Sequence, residues 1–253
     1  MKLTGKNPVI ERLRTNPGTI RKIYLQEGFQ ESAYVSKKAR QGGIPVFVVH
    51  ASKLLKMARH ANTQGILAEV ENFAYTPYEE LLDRALEKGK SLLFLDGLND
   101  PQNLGVIIRS LACLGKFGIV LPRHDSVDIT EAVLRVASGA DNYVPIAKVG
   151  NLAPAIESAR DKGFWIAGAV VKEGVSLTET PFSFPMGLVV GSEQKGIRDV
   201  IRKHLDLEVT IPMAFDTLSF NVAQATTILC YEIVRQRLAR KSARESQHAQ
   251  EEK

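Results

Sequence analysis

Past residue 90 the chain alternates short, almost unbroken apolar runs with stretches of helical periodicity, and this rhythm limits the fold more than any single residue does. The expected strands are Leu92–Asp96, Gly118–Leu121, Tyr143–Ile146, Phe164–Val170, Leu188–Val190 and Leu207–Ile211. The expected helices are Asn103–Leu114, Ile129–Ala137, Leu152–Asp161, one from about Glu193 to Lys203, and a long one from Ser219 or Asn221 to about Arg240. Strands that are apolar along their whole length are buried on both faces, so the fitting architecture is a mostly parallel sheet covered by helices on each side. In the last helix Val222, Ala225, Leu229 and Ile233 recur at three- and four-residue spacing and form one buried stripe.

The first 70 residues repeat the alternation on a smaller scale. Asn7 and Pro8 read as the N-cap and first residue of a helix. A strand over Arg21–Gln26 follows, then a helix over Glu31–Gln41 that carries Lys37, Lys38 and Arg40 and ends at Gly42-Gly43. Pro45–Val49 reads as a buried strand, Ser52 as the cap of a helix with Lys53, Lys56, Arg59 and His60 on or near it, and Gly65–Val70 as a third strand. These elements make a small α/β sandwich over 1–72. The expected division is then a linker over 73–89 with a helix from Pro77 to Lys88, a second α/β domain over 90–240, and a frayed polar tail over 241–253.

The charge is divided unevenly. Residues 1–72 hold twelve Lys and Arg against five Asp and Glu, whereas the remainder holds 21 against 23. A basic module joined to a nearly neutral one suits a polyanion such as nucleic acid; a merely solvated basic surface is the alternative. No apolar run approaches the roughly 20 residues that span a bilayer. The first residues lack the apolar core of a secretory signal. Cys113 and Cys230 make neither a disulfide framework nor a zinc site, and both fall on helical apolar patterns, so reduced core cysteines in a cytoplasmic protein are expected.

Three stretches carry chemistry. The first, Asn103-Leu-Gly105-Val-Ile-Ile-Arg109, follows an expected strand, and the carboxyl ends of strands are where open α/β sheets hold their ligands. Asn103 can cap the helix. Gly105 and Arg109 stack on one face, where the glycine leaves room for a backbone or ligand and Arg109 offers a planar fork of donors for phosphate or carboxylate. An arginine on the outer face of an amphipathic helix is the alternative. The second, Gly191-Ser-Glu193-Gln-Lys-Gly196, ends a buried strand with a glycine that would let a ligand lie on the backbone, and it puts Glu193 near an expected helix start. The third runs from Ile211-Pro-Met213 through Ser219-Phe220-Asn221-Val-Ala223, which places polar side chains at a helix N-terminus. The dinucleotide fingerprint, the P-loop and His/Cys metal clusters are missing.

Taken together and in this order, the three stretches resemble the motifs of the SpoU family of RNA ribose 2′-O-methyltransferases, in the SPOUT class. Those motifs read N-x-G-x-x-x-R, G-x-E-x-x-G and I-P-M…S-L-N-V-(A/S). The resemblance spans roughly Leu92 to Arg237. Residues 5–72, with Gly5-Lys-Asn-Pro-Val9 and Gln64-Gly65, resemble the L30e-like RNA-binding domain of the branch that modifies guanosine in 23S rRNA. Phe220 stands where leucine is usual, and Gln194 where a glycine often follows the glutamate; both bear on cofactor affinity.

The resemblance implies a mostly parallel SPOUT domain with a C-terminal trefoil knot, S-adenosylmethionine bound in it, a homodimer, and 23S rRNA or a ribosomal precursor as partner. It further implies that Arg109 acts at the ribose hydroxyl, that Asn103, Glu193, Ser219 and Asn221 orient it, and that Gly191, Ile211, Phe220 and Ala169 line the cofactor site. Lys37, Lys38 and Arg40 would grip RNA. No metal is expected. A tRNA- or adenosine-directed enzyme of the same kind, a non-catalytic RNA-binding or ribosome-assembly protein with this fold, and a nucleotide-dependent α/β enzyme are the alternatives.

Overall fold

The fold comes from a computed structural model, which describes residues 1–59, 61–215 and 217–251, with side chains for all of these except 244, 245 and 247–251. His60 and the last two residues of the expected tail lie outside the described residues. In chain order the first elements are β1 (Lys2–Thr4), α1 (Lys6–Thr15), β2 (Ile20–Gln26), α2 (Ser32–Gln41), β3 (Val46–Val49), α3 (Ala51–Met57) and β4 (Ile66–Val70). Next come α4 (Tyr78–Glu87), β5 (Ser91–Asp96), α5 (Pro101–Leu114), β6 (Phe117–Pro122), α6 (Glu131–Ala137), β7 (Ile146–Val149) and α7 (Leu152–Asp161). The last are β8 (Trp165–Ala169), β9 (Val175–Ser176), β10 (Met186–Gly191), α8 (Asp199–Arg202), β11 (Leu207–Thr210) and α9 (Val222–Glu251). They pack into two compact units. One comprises Met1–Tyr75, Asp100–Ala112 and Val127–Pro145; the other comprises Thr76–Asn99, Cys113–Ser126 and Ile146–Lys253.

The first unit holds a four-stranded sheet in the order β1-β4-β2-β3, antiparallel except for the β2–β3 pair. Strand β1 is too short to carry a sequence pattern and exists because it pairs with β4, Lys2 opposite Glu69. Helix α1 begins at Lys6, one residue before the expected cap. Gly5 turns the chain at φ 101°, and the Lys6 N–H donates to Gln64 Oε1 at 2.9 Å, so a residue far along the chain supplies the cap. Helix α3 is likewise capped by His50, whose ring nitrogen accepts from the Ser52 N–H, and Ser52 lies inside the helix. Strand β3 was expected to be buried, yet Phe47 is 47% and Val48 64% exposed, because β3 is the sheet edge and only Val49 is buried. Buried Arg12 of α1 pairs with Asp141 in the 3₁₀ turn Ala140–Asn142, where burial pushes the Asp141 carboxyl up and Arg12 pulls it back.

The second unit is built on a seven-stranded, all-parallel sheet in the order β7-β6-β5-β10-β8-β11-β9. Helix α4, expected as a linker, buries Leu81, Leu82 and Ala85 in this core. Gly118 of β6 admits it: a Cβ there would lie 2.7 Å from Leu81 Cδ1. Strand β7 starts at Ile146, so only the last residue of the expected strand Tyr143–Ile146 belongs to it. The helix expected from Glu193 shrinks to Asp199–Arg202, because a closed turn occupies the residues before it. Helix α9 runs past Arg240 to Glu251, in keeping with the many Ala, Arg, Glu and Gln residues of that stretch. Cys230 is buried, which pushes its thiol up, whereas Cys113 is exposed on α5 and is not a core residue. Among the described residues no helix is long and apolar enough to cross a membrane, and no group of three or more His, Cys, Asp or Glu is placed to hold a metal.

Candidate active site

Strands β10, β8 and β11 are neighbours and parallel, so their carboxyl ends open on the same edge of the sheet. The segments leaving them, together with the first turns of α9, line a cavity of about 650 Å³. That volume lies within the range of about 300–1,000 Å³ usual for small-ligand sites, and its place is where parallel α/β sheets bind ligands.

The wall after β10 is set by glycine. A Cβ on Gly191 would overlap the backbone of Gly196 and Ile197, so no other residue fits. The turn closes through two backbone bonds, Gly196 N–H to Ser192 O at 2.9 Å and Ser192 N–H to Gly196 O at 3.2 Å, with Gly196 at φ 63°. The turn is then anchored from below by Asp96, the last residue of β5 and the register partner of Gly191. The Asp96 carboxylate, 1% exposed, accepts from the Arg198 backbone N–H at 2.9 Å and from Arg198 Nε at 2.7 Å. Asp96→Ala is expected to cost about 1–3 kcal/mol for the stranded donors. Most of that belongs to the Arg198 backbone N–H, since the half-exposed guanidinium can turn to water and is screened. A lower urea midpoint and faster hydrogen exchange at the Ser192 and Gly196 amides are the readouts; unchanged exchange would mean that the turn stands without the anchor.

The opposite wall comes from the chain leaving β8 and β11. Thr210 Oγ1 donates to Val171 O at 2.9 Å, and Gly174 brings the two segments into contact: a Cβ there would sit 2.9 Å from the Thr210 nitrogen. Asn221 caps α9 as expected, its Oδ1 accepting from the Ala223 N–H at 2.9 Å. The rim is charged, with Lys172, Glu173, Glu193, Lys195 and Arg202. Arg202 is engaged by Glu208 through two bonds of 2.6 Å, which holds the Glu208 carboxyl below the usual range.

Seven of the residues singled out in the sequence meet in this cavity: Ala169, Gly191, Glu193, Ile211, Ser219, Phe220 and Asn221. Glu193 sits in the closed turn and not at a helix start. Asn103 and Arg109 lie on α5, in the first unit, and are not among the lining residues. Arg109 is exposed. Asn103 is buried within the first turn, and the cap is Asp100, whose Oδ1 accepts from the Gln102 N–H at 2.8 Å. Gly105 does admit a close neighbour, but it is helix α6: a Cβ there would lie 2.5 Å from Val136 Cβ and 3.0 Å from Val133 O. Lys37, Lys38 and Arg40 are exposed on α2 around buried Val35 and Ala39. Val170, Val171, Lys172 and Glu173 also line the cavity without having been singled out. They follow β8, and knowing that β8 lies beside β10 would have pointed to them.

A parallel sheet whose carboxyl edge holds a cavity walled by a G-x-E-x-x-G turn and an I-P-M…S-F-N-V segment defines the SPOUT class of methyltransferases. Within that class the chain belongs to the SpoU rRNA methylase family, which matches residues 90–231; the RNA 2′-O ribose methyltransferase substrate-binding family matches residues 2–76. An uncharacterized tRNA/rRNA methyltransferase of Synechocystis is 39% identical over 79% of this chain, which spans only 52% of that relative's length. YacO of Bacillus subtilis, named for the TrmH family of tRNA/rRNA methyltransferases, is 32% identical over 92% of this chain and 94% of its own. The AdoMet-bound rRNA methyltransferase of Sinorhizobium meliloti superposes with a TM-score of 0.78 at 27% identity, covering 94% of this chain and 87% of that one.

Proposed function

We propose that the chain transfers the methyl group of S-adenosylmethionine to a ribose 2′-hydroxyl of RNA, at a guanosine of 23S rRNA. The observation that carries this reading is the convergence of two separate motifs, Gly191 and Glu193 of one with Ile211, Ser219, Phe220 and Asn221 of the other, beside Ala169 on one cavity at the carboxyl edge of the sheet. The donor set fits the cofactor. Backbone at Gly191 and Ile211 with apolar Ala169 and Phe220 suits an adenine ring, and the charged rim suits an amino acid carrying both signs of charge. The cofactor, when bound, supplies an electrophilic methyl on a positively charged sulfur.

The chain's own residues have to align the hydroxyl and help it lose a proton, because a neutral alcohol is a weak nucleophile. A guanidinium offers a planar fork of N–H donors and no acceptor, so Arg109 serves as a clamp on the target phosphate and the developing oxyanion. The proton leaves to a phosphate oxygen or water. Asn103, Glu193, Ser219 and Asn221 orient the arginine and the ribose. Residues 1–72, with Lys37, Lys38 and Arg40, grip the RNA backbone, and the working form is a homodimer.

The test is methyl transfer from labelled S-adenosylmethionine to 23S rRNA and, separately, to tRNA, with the position mapped by primer extension sensitive to ribose methylation. A single 2′-O-methyl guanosine in 23S rRNA is the expected result. Transfer to tRNA alone, or to adenosine, would keep the reaction and replace the substrate. Absence of cofactor binding would favour a non-catalytic RNA-binding role.

A further inference from the structure

The first unit contains a second cavity, of about 440 Å³, that none of the three motifs reaches. Its charged walls are Lys2 of β1, Arg59 just past α3, and Glu131 and Arg135 of α6, so three of its four charged groups are cations. Lys2 is tied on two sides: its N–H donates to Glu131 Oε1 at 2.6 Å and its ammonium to Met57 O at 2.7 Å. Arg59 and Arg135 are different. Both are exposed, and neither makes an ion pair or a side-chain hydrogen bond among the described residues. Arg59 also holds φ 50°, just past the end of a helix, where glycine is the usual residue. The chain thus keeps a guanidinium at a backbone position that disfavours side chains.

Two unpaired forks and one anchored ammonium around a single carboxylate form a receptor for an anion, and guanidinium geometry matches phosphate. The cavity is also tied to the motif helix. Arg135 sits on α6, one residue from Val136, which fills the space left by Gly105 of α5, and α5 carries Arg109.

We propose that the Lys2/Arg59/Arg135 cleft binds a phosphodiester of the RNA substrate, so that the RNA backbone is held by the same packed unit that carries Arg109. This rests on the reading that the substrate is RNA.

The experiment uses the full chain and a fluorescein-labelled RNA hairpin, with dissociation constants measured by anisotropy over a range of salt. The Arg59→Gln/Arg135→Gln double variant is expected to bind about tenfold more weakly, and the slope of log affinity against log salt to fall by about 1.4–1.8, the equivalent of two lost phosphate contacts. S-adenosylmethionine affinity, measured by calorimetry, should be unchanged, which separates a lost contact from a damaged fold. Glu131→Gln, which removes the repelling carboxylate, should tighten RNA binding about two- to threefold. A thermal-shift titration with inorganic phosphate distinguishes the source of the anion: stabilisation by phosphate with unaltered RNA binding in the double variant would mean a small-anion site and would overturn the proposal. Wild-type binding with an unaltered slope in the variant would overturn it as well. Wild-type protein that binds no RNA would instead remove the RNA reading itself, and the cleft's role with it.

Discussion

Arg109→Ala is expected to lower kcat for methyl transfer by about a hundred- to a thousandfold, the usual effect of removing one donor aimed at developing oxygen charge. S-adenosylmethionine affinity should stay within about twofold of wild type, because Arg109 is on α5 and does not line the cavity. Stability should change by less than about 0.5 kcal/mol, since the side chain is exposed. Arg109→Lys should recover little activity, as a point charge does not replace a planar fork. Single-turnover kinetics and calorimetry together decide the matter: loss of cofactor binding in parallel with turnover would make Arg109 a structural residue.

Gly191→Ala should act on the opposite half of the reaction. The added methyl group meets backbone atoms of Gly196 and Ile197, which cannot rotate away as a side chain would. The Ser192–Gly196 turn must then shift, at a cost of about 1–3 kcal/mol or more. Because this turn forms a wall of the cavity, S-adenosylmethionine affinity is expected to fall by about ten- to a hundredfold, with RNA affinity nearly unchanged. Gly150→Ala is the matched control: no atom lies within 4 Å of a Cβ there, so a change under about 0.5 kcal/mol is expected. Equal cofactor affinity in Gly191→Ala and wild type would show that the turn tolerates displacement and that the cavity does not depend on it.

The parts of the site that could be read from the sequence are those in which a residue acts on its immediate neighbours. Asn221 caps α9 through the Ala223 N–H, a bond closed within three residues, and the sequence reading anticipated it. The apolar strands β5, β6, β8 and β10 were anticipated for a similar reason, since a run without polar residues has to be buried on both faces. The errors arose where a distant partner took over a local role. Asn7 looked like a cap, but Gln64 holds that helix start, whereas Asn103 lost the cap to a near neighbour, Asp100, three residues before it. Glu193 looked like the first turn of a helix, but Asp96 of a neighbouring strand anchors Arg198 and the residues before it close into a turn. Phe47 and Val48 looked buried because they are apolar, but an edge strand has one unpaired side.

The three motifs are legible in the order of residues through their resemblance to a family, while composition and periodicity alone determined the alternating α/β plan and the basic character of residues 1–72. These follow from short-range geometry and from the free energy of removing apolar surface from water, both of which are written into the order of residues. The tertiary structure decided the strand order that sets β10 between β5 and β8, and with it the meeting of Ala169 with Gly191 and of Asp96 with Arg198. It also decided that Gly105 makes room for α6 and that Lys2, Arg59 and Arg135 share a cleft. Adjacency of this kind depends on which buried faces meet when the whole chain packs, and residues far apart in sequence carry no local signal of it.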